Sequence, residues 1–456
     1  MSRLVIVSNR LGDPSKPPSG GLAVALNGAL GAMGGIWLGW NGQITSDEKE
    51  DNAPTVHDIG KITLVGVPLS QKEHDAYYLG YASGVLWPAF HHRADLIDTN
   101  PEFLESYRRV NRKFAIQLSK LIEPDDIIWV HDYHLIPLAE ELRSMHIPNK
   151  MGFFLHIPVP PSQIMSAIPD HQWLVKALYA YDLVGFQTHA DVTNFRLYAE
   201  RQLGVPQDDT DVLQSFGRKV TVRAFPIGID VDQFRGLLTH PDAVEMRRNL
   251  ETKSVGRRWI VGVERLDYTK GLPERMEIFR RLLQKYPENI ERSTLIQIAP
   301  PTREGVDAYL DIKEQLELLS GSVNGEFATI DWTPVRYIHR AVSRTRLAAV
   351  FSISRVGLVT PLRDGMNLVA KEYVAVQPDD DPGVLVLSEF AGAAEDMTEA
   401  LLVNPYDTET TADQLQRALT MALDERRERH RALKKKVEDG NVVVWSQAFL
   451  KALEEA

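Results

Sequence analysis

Nine short apolar runs, each followed by a polar loop and a helix-like stretch, constrain this chain more than any other feature. They are Leu4–Ser8, Ile127–His131, Gly152–His156, Leu183–Gln187 and Val220–Phe225 in the first half. In the second half they are Trp259–Val263, Thr294–Ile298, Val356–Thr360 and Val384–Leu387. Their apolar residues run continuously and do not alternate with polar ones, as suits parallel strands buried on both faces. Strands that alternate with helices imply βαβ units. The rhythm pauses near Pro226-Ile-Gly-Ile-Asp230 and resumes near Arg257, and 456 residues are too many for one core. The expectation is an α/β protein of two doubly wound parallel-sheet, Rossmann-like domains facing across a cleft. Residues 1–235 would form the first and 236–440 the second, with a terminal helix over 441–456 packing back on the first.

Bulk composition narrows the function. A net charge of −11 argues against nucleic acid as the main partner, because phosphate backbones are bound by clustered Lys and Arg. A basic pocket for a small anion stays open. The absence of cysteine excludes disulfides, thiolate metal sites and a thiol nucleophile, and fits a reducing compartment. The first apolar run is too short for a signal peptide, and no run approaches a membrane span. A cytoplasmic protein with no membrane partner is expected.

In doubly wound sheets, ligands bind beyond the carboxyl ends of the strands, so the polar residues that follow each run are the candidates. Val356–Glu372 is the most informative stretch: a strand, a loop with Arg363, Asp364, Gly365 and Asn367, and a helix opened by Leu368. A helix starting there offers free N–H groups and a positive dipole end to a diphosphate. Asp364 and Glu372, about two turns into the helix, could hold sugar hydroxyls, while the plainer reading makes Asp364 a helix cap. Arg265 and Lys270 lie five residues apart in one strand-end loop and could together neutralise a diphosphate.

Four further places qualify. Arg10 follows the first run directly, and Gly20-Gly21 introduces a small-residue helix, although the Gly-x-Gly-x-x-Gly and Walker spacings are absent. Asp132, within His131-Asp-Tyr-His134, reads as a hydroxyl acceptor or base in the cleft, or as a cap on the next helix. A metal there lacks a further His/Asp cluster to complete it. His156 sits at a strand tip held by Pro158, Pro160 and Pro161. Arg303 follows the run Thr294–Ile298, and Tyr77-Tyr78 and Trp87 form aromatic clusters that suit a core or a sugar platform equally.

Five long motifs then bring in a resemblance: Val5-Ile-Val-Ser-Asn-Arg10, Val85-Leu-Trp-Pro-Ala-Phe-His91, Trp129-Val-His-Asp-Tyr-His-Leu135, Gly152-Phe-Phe-Leu-His-Ile-Pro158 and Glu264-Arg-Leu-Asp-Tyr-Thr-Lys-Gly-Leu272. With them the chain resembles, over essentially its whole length, the trehalose-6-phosphate synthase family of retaining GT-B glycosyltransferases. The resemblance implies transfer of glucose from a nucleotide-diphosphate glucose, UDP-glucose first, to glucose 6-phosphate, in trehalose biosynthesis and osmoprotection. It implies that Arg10, Tyr78, Trp87, Asp132 and Arg303 hold the acceptor, the two arginines near its phosphate. Gly20, Gly21, Arg265 and Lys270 match donor-diphosphate positions. Asp364, Gly365, Met366, Asn367, Leu368 and Val369 match the donor sugar and phosphate site, and Glu372 the ribose contact. Val342 matches the base site, where some members carry an aromatic residue. Asp132, His156, Arg265, Lys270 and Asp364 are the implied catalytic set. No cofactor or metal is expected, and a homo-oligomer is the expected assembly. The rival readings are a related enzyme with another acceptor, such as glycerol 3-phosphate, and a non-catalytic sugar-nucleotide sensor.

Overall fold

A computed structural model describes residues 3–12, 26, 30, 34–46, 53–253, 256–303 and 306–456. The chain divides into two compact units, Met1–Ile227 with Val442–Ala456, and Gly228–Asn441. The first is built on strands β1 (Leu4–Arg10), β2 (Gly35–Thr45), β3 (Thr55–Ile59), β4 (Ile62–Ser70), β5 (Ile127–His131), β6 (Met151–Phe154), β7 (Leu183–Phe186), β8 (Val212–Ser215) and β9 (Arg218–Ala224). Among the described residues they form one sheet in the order β3-β4-β2-β1-β5-β6-β7-β9-β8. The interior pairings are parallel, and antiparallel β3 and β8 close the two edges. The second unit carries β10 (Arg258–Val263), β11 (Ser293–Ile298), β12 (Val335–Ile338), β13 (Val356–Val359), β14 (Val384–Ser388) and β15 (Leu401–Val403), all parallel, in the order β12-β11-β10-β13-β14-β15.

All nine apolar runs are strands. Most are buried along their whole length, because helices cover both faces of a parallel sheet. Four end short of the expected residue: β6 stops at Phe154, so His156 lies two residues past the strand, β7 stops at Phe186, which leaves Gln187 in the loop, β9 stops at Ala224 and β13 at Val359. Among the described residues six strands, β2, β3, β4, β8, β12 and β15, were not anticipated. β3 is an edge strand whose residues are mostly exposed, β15 has only three residues and β2 is broken by Gly and Asn, whereas β4 buries Leu64 to Leu69 without a break.

The helix Val442–Glu455 shows how glycines make room for a packed element. Phe449 stacks on Trp129 with centroids 4.6 Å apart and meets Phe154 and Phe225 edge-on. A Cβ at Gly152 or Gly185 would lie 2.7 Å from the Phe449 ring, closer than carbon atoms approach. These glycines therefore admit an aromatic side chain against the sheet that any larger residue would displace.

Candidate active site

In the second unit, the end of β10 leads into Glu264, Arg265 and Asp267. The turn Tyr268–Lys270 follows and closes on Gly271 at φ 61°. Gly271 is required twice over: the left-handed backbone disfavours a side chain, and a Cβ would lie 2.1 Å from the Thr360 carbonyl oxygen. Asp267 is fully buried. Its carboxylate accepts from the Thr269 N–H at 3.0 Å and the Tyr309 hydroxyl at 3.1 Å, with the Arg303 guanidinium 3.5 Å away. Burial opposes its charge, but Arg303, Arg265 and Lys270 outweigh it and hold the Asp267 pKa below the usual value. The Thr269 carbonyl in turn accepts from the N–H groups of Leu362 and Arg363, which ties this turn to the loop after β13.

That tie brings Lys270 to Asp364, with Nζ 2.5 Å from Oδ2, although the two are 94 positions apart in sequence. Burial works against the lysine charge, yet Asp364 and Glu264 more than offset it and raise the Lys270 pKa. The loop itself is pinned along its length. The Asp364 N–H donates to the Phe390 carbonyl, and the Gly392 and Ala393 N–H groups donate to the carbonyls of Asp364 and Met366. Asn367, at φ 85°, and not Asp364, caps the helix Leu368–Ala375: its Oδ1 accepts from the Ala370 N–H at 3.2 Å. Leu368 and Val369 occupy the first turn, whose N–H groups lie outside the intrahelical ladder, an arrangement that suits an anion. Glu372 is the fifth residue of this helix, one turn in and not two. Its carboxylate pairs with Arg344 at 3.2 Å, and burial raises its pKa despite that partner. Val342 is half-buried just before Ser343, which caps the helix Arg344–Ile353. Arg265 is exposed, beside the buried Lys270.

In the first unit, Arg10 ends β1 exposed, with its guanidinium 5.2 Å from the centre of the Trp40 ring. Tyr78 stacks on His134 at 5.9 Å and flanks Trp40 at 6.0 Å. Trp87 is buried against His91 and Tyr133. Tyr78 and Trp87 are set by an unexpected element, a π-helix over His74–Leu86 that runs on into a short α-helical turn, Trp87–Phe90. Such wide helices are rare and usually found at functional sites.

Asp132 takes the left-handed φ of 77°, and its side chain makes no cap bond to the following turn. Its Oδ1 instead accepts from the His156 N–H at 3.2 Å, so the two predicted residues meet. The His156 ring lies 3.1 Å from His131, nitrogen to nitrogen, and 3.4 Å from the Gln187 amide. Burial pushes the His156 pKa down to about 3 and that of His131 far below its usual value, His156 adding to the second effect.

Gly20 and Gly21 lie outside the described residues. Sequence reasoning missed the structural parts played by Glu264, Asp267, Gln187 and Arg344. Each works through a partner far away in sequence, and no local signal marks it.

A model of glycosyltransferase family 20 matches residues 8–455. The trehalose-6-phosphate synthase of Klebsiella pneumoniae is 46% identical over 460 residues, covering 100% of this chain and 95% of that protein. The synthase of Sinorhizobium fredii is 45% identical, covering 99% and 98%. Among solved structures, a UDP-forming alpha,alpha-trehalose-phosphate synthase from Burkholderia xenovorans in complex with glucose-6-phosphate matches with a TM-score of 0.95 at 45% identity, over 99% of this chain and 100% of that one. An E. coli structure bound with UDP-2-fluoro glucose matches with a TM-score of 0.94 at 42% identity, over 100% and 99%. The two parallel-sheet domains are of the GT-B class, and the chain belongs to glycosyltransferase family 20.

Proposed function

We propose that this protein is a retaining glucosyltransferase. It would move glucose from UDP-glucose to the anomeric hydroxyl of glucose 6-phosphate, releasing UDP and α,α-trehalose 6-phosphate. The observation that carries the reading is the buried Lys270–Asp364 pair at the amino end of the helix Leu368–Ala375. One cation for a diphosphate, one carboxylate for sugar hydroxyls and free helix N–H groups stand together there, with Glu372 one turn further on. Close relatives crystallised with glucose-6-phosphate and with UDP-2-fluoro glucose support both substrates.

Departure of UDP leaves negative charge on its terminal phosphate. Lys270, Arg265 and the N–H groups near Gly365–Val369 stabilise that charge more in the transition state than in the ground state, and this difference is what accelerates the step. Arg10 takes the acceptor phosphate, and Tyr78, Trp87 and Asp132 take its sugar. The bond from the donor C1 to the phosphate oxygen breaks as the acceptor oxygen bonds to C1 on the same face. The acceptor proton passes to the departing phosphate oxygen. The Asp132 carboxylate steadies the segment at His156 by accepting from its N–H, and the neutral imidazole of His156 lies beyond the tip of the neighbouring strand β6.

The test is a panel of nucleotide-sugar donors and phosphorylated acceptors with the purified protein, the product linkage being read by NMR. An α,α-1,1 disaccharide phosphate from UDP-glucose and glucose 6-phosphate is expected. Turnover with glycerol 3-phosphate but none with glucose 6-phosphate would move the protein to another acceptor class, and ligand binding without any turnover would make it a sensor.

A further inference from the structure

Behind the Lys270–Asp364 pair lies a second layer of buried polar side chains, and to two of them, Glu264 and Arg275, the proposed chemistry assigns no part. Asn367 spends both amide hydrogens on carboxylates: Nδ2 donates to Glu264 Oε1 at 2.9 Å and to Asp364 Oδ2 at 3.0 Å. Its Oδ1 accepts from the Ala370 N–H. Every strong hydrogen-bonding group of the amide is engaged, so only one orientation satisfies all three contacts. Glu264 is itself buried between two cations, Lys270 and Arg275, and the Arg275 Nη2 stands 3.9 Å from the same Oε1. Arg275 is fully buried and is anchored from the far side. Its Nε donates to Thr360 Oγ1 at 3.0 Å and its Nη1 to Gln297 Oε1 at 3.1 Å. It passes beneath Gly262, where a Cβ would meet Nη1 at 2.5 Å. A glycine, a threonine and a glutamine on three adjacent parallel strands or their ends are thus given over to placing one guanidinium against one carboxylate.

We propose that Glu264 is a positioning residue for the donor sugar. Held by Arg275, it fixes the Asn367 amide, which sets the Asp364 carboxylate and the amino end of the helix Leu368–Ala375 together. The inference rests on the donor-site reading above. Without Glu264 one Asn367 N–H would be buried and unsatisfied, and the amide would be free to turn. Asp364 would then be held chiefly by Lys270. A carboxylate drawn onto that lysine is lost to the sugar, and the lysine is lost to the diphosphate. The burial that raises the Glu264 pKa fits a group kept there for its geometry and not for its contact with water.

The experiment compares Glu264→Ala with Glu264→Gln, the second of which keeps an acceptor oxygen for Asn367. Initial rates are taken with UDP-glucose and glucose 6-phosphate varied separately, and the affinities for UDP and UDP-glucose are measured by calorimetry. For Glu264→Ala the expected result is a fall in kcat of about 10- to 100-fold. The donor KM rises and the acceptor KM stays within about twofold. The preference for UDP-glucose over UDP narrows, because the weakened diphosphate contact is common to both ligands and the misplaced sugar contact belongs to UDP-glucose alone. Glu264→Gln recovers most of the loss. If the alanine variant fails to fold around an unpaired Arg275, the double variant Glu264→Ala/Arg275→Met removes that buried cation and is read the same way. The proposal is overturned by a folded alanine variant with native kinetics, by equal rises in both KM values, or by a glutamine variant no better than alanine. If the native protein forms no product from UDP-glucose and any acceptor but prefers UDP-glucose to UDP, the functional reading fails. The positioning role is then judged on the calorimetric preference alone.

Discussion

Lys270 and Asp364 offset each other's charge at 2.5 Å, so each is held in place opposite the other before the donor arrives. Replacing Lys270 by Ala removes a charge that matters most when the diphosphate leaves. The expected loss is about 3 kcal/mol of barrier, or roughly a hundredfold in kcat, measured at saturating substrates. With Lys270 and Arg265 supplying the positive charge, a chelator should leave the rate unchanged; activity lost to EDTA and restored by a divalent ion would contradict this. The histidine pair carries a pH prediction. His156 has a folded pKa of about 3 against an ordinary value near 6.5, so between those values the unfolded chain binds more protons. Stability from this group is complete above pH 6.5 and declines as the pH falls toward 3, by about 1.4 kcal/mol per pH unit at most. Thermal melts of the native protein and of His156→Asn from pH 7 to 4.5 test the sign: the native melting temperature should fall more steeply. Neither ring titrates near neutrality, so the pH–rate profile should show no limb from them there.

Elements decide where these side chains point, and two elements do so unexpectedly. The π-helix His74–Leu86 is wider than an α-helix and turns less per residue, and this sets the facing of Tyr78 relative to Trp87. Nothing in its residue pattern announces that winding. Gly80 sits within it, where a Cβ would come within 2.6 Å of the Phe103 ring. Gly80→Ala should therefore cost about 1–3 kcal/mol of stability through overpacking and raise the KM for glucose 6-phosphate more than that for UDP-glucose. The turn Tyr268–Lys270 is the second case. Gly271→Ala strains a left-handed backbone and drives a methyl group into the Thr360 carbonyl. A loss of donor affinity with acceptor affinity retained is expected from calorimetry. The strand-end loops were legible because each carries its charges within a few residues of an apolar run. Asn367 and its partner Asp364 were legible as polar residues of one loop before a helix, whereas the second carboxylate partner, Glu264, was not.

At the scale of the molecule, the helix Val442–Glu455 covers Trp129, Gly152 and Gly185 of the first sheet through Phe449. Phe449→Ala should cost about 3–5 kcal/mol, lowering the melting temperature by roughly 10 °C while leaving the donor KM near its native value. The sequence by itself determined the α/β class, the nine principal strands, the loops that bear the chemistry and, through its long motifs, the family. These are local properties: burial on both faces demands continuous apolar residues, and a strand-end loop advertises its charges in order along the chain. Tertiary structure alone decided which of those charges meet. Lys270 finds Asp364, and Asn367 finds Glu264, across about a hundred residues. His131, His156 and Gln187 converge from three strands, and the terminal helix chose the glycines of β6 and β7. Parallel strands place distant loops side by side at one edge of a sheet. The energy of a buried ion pair or a filled cavity depends on that placement, which no stretch of neighbouring residues encodes.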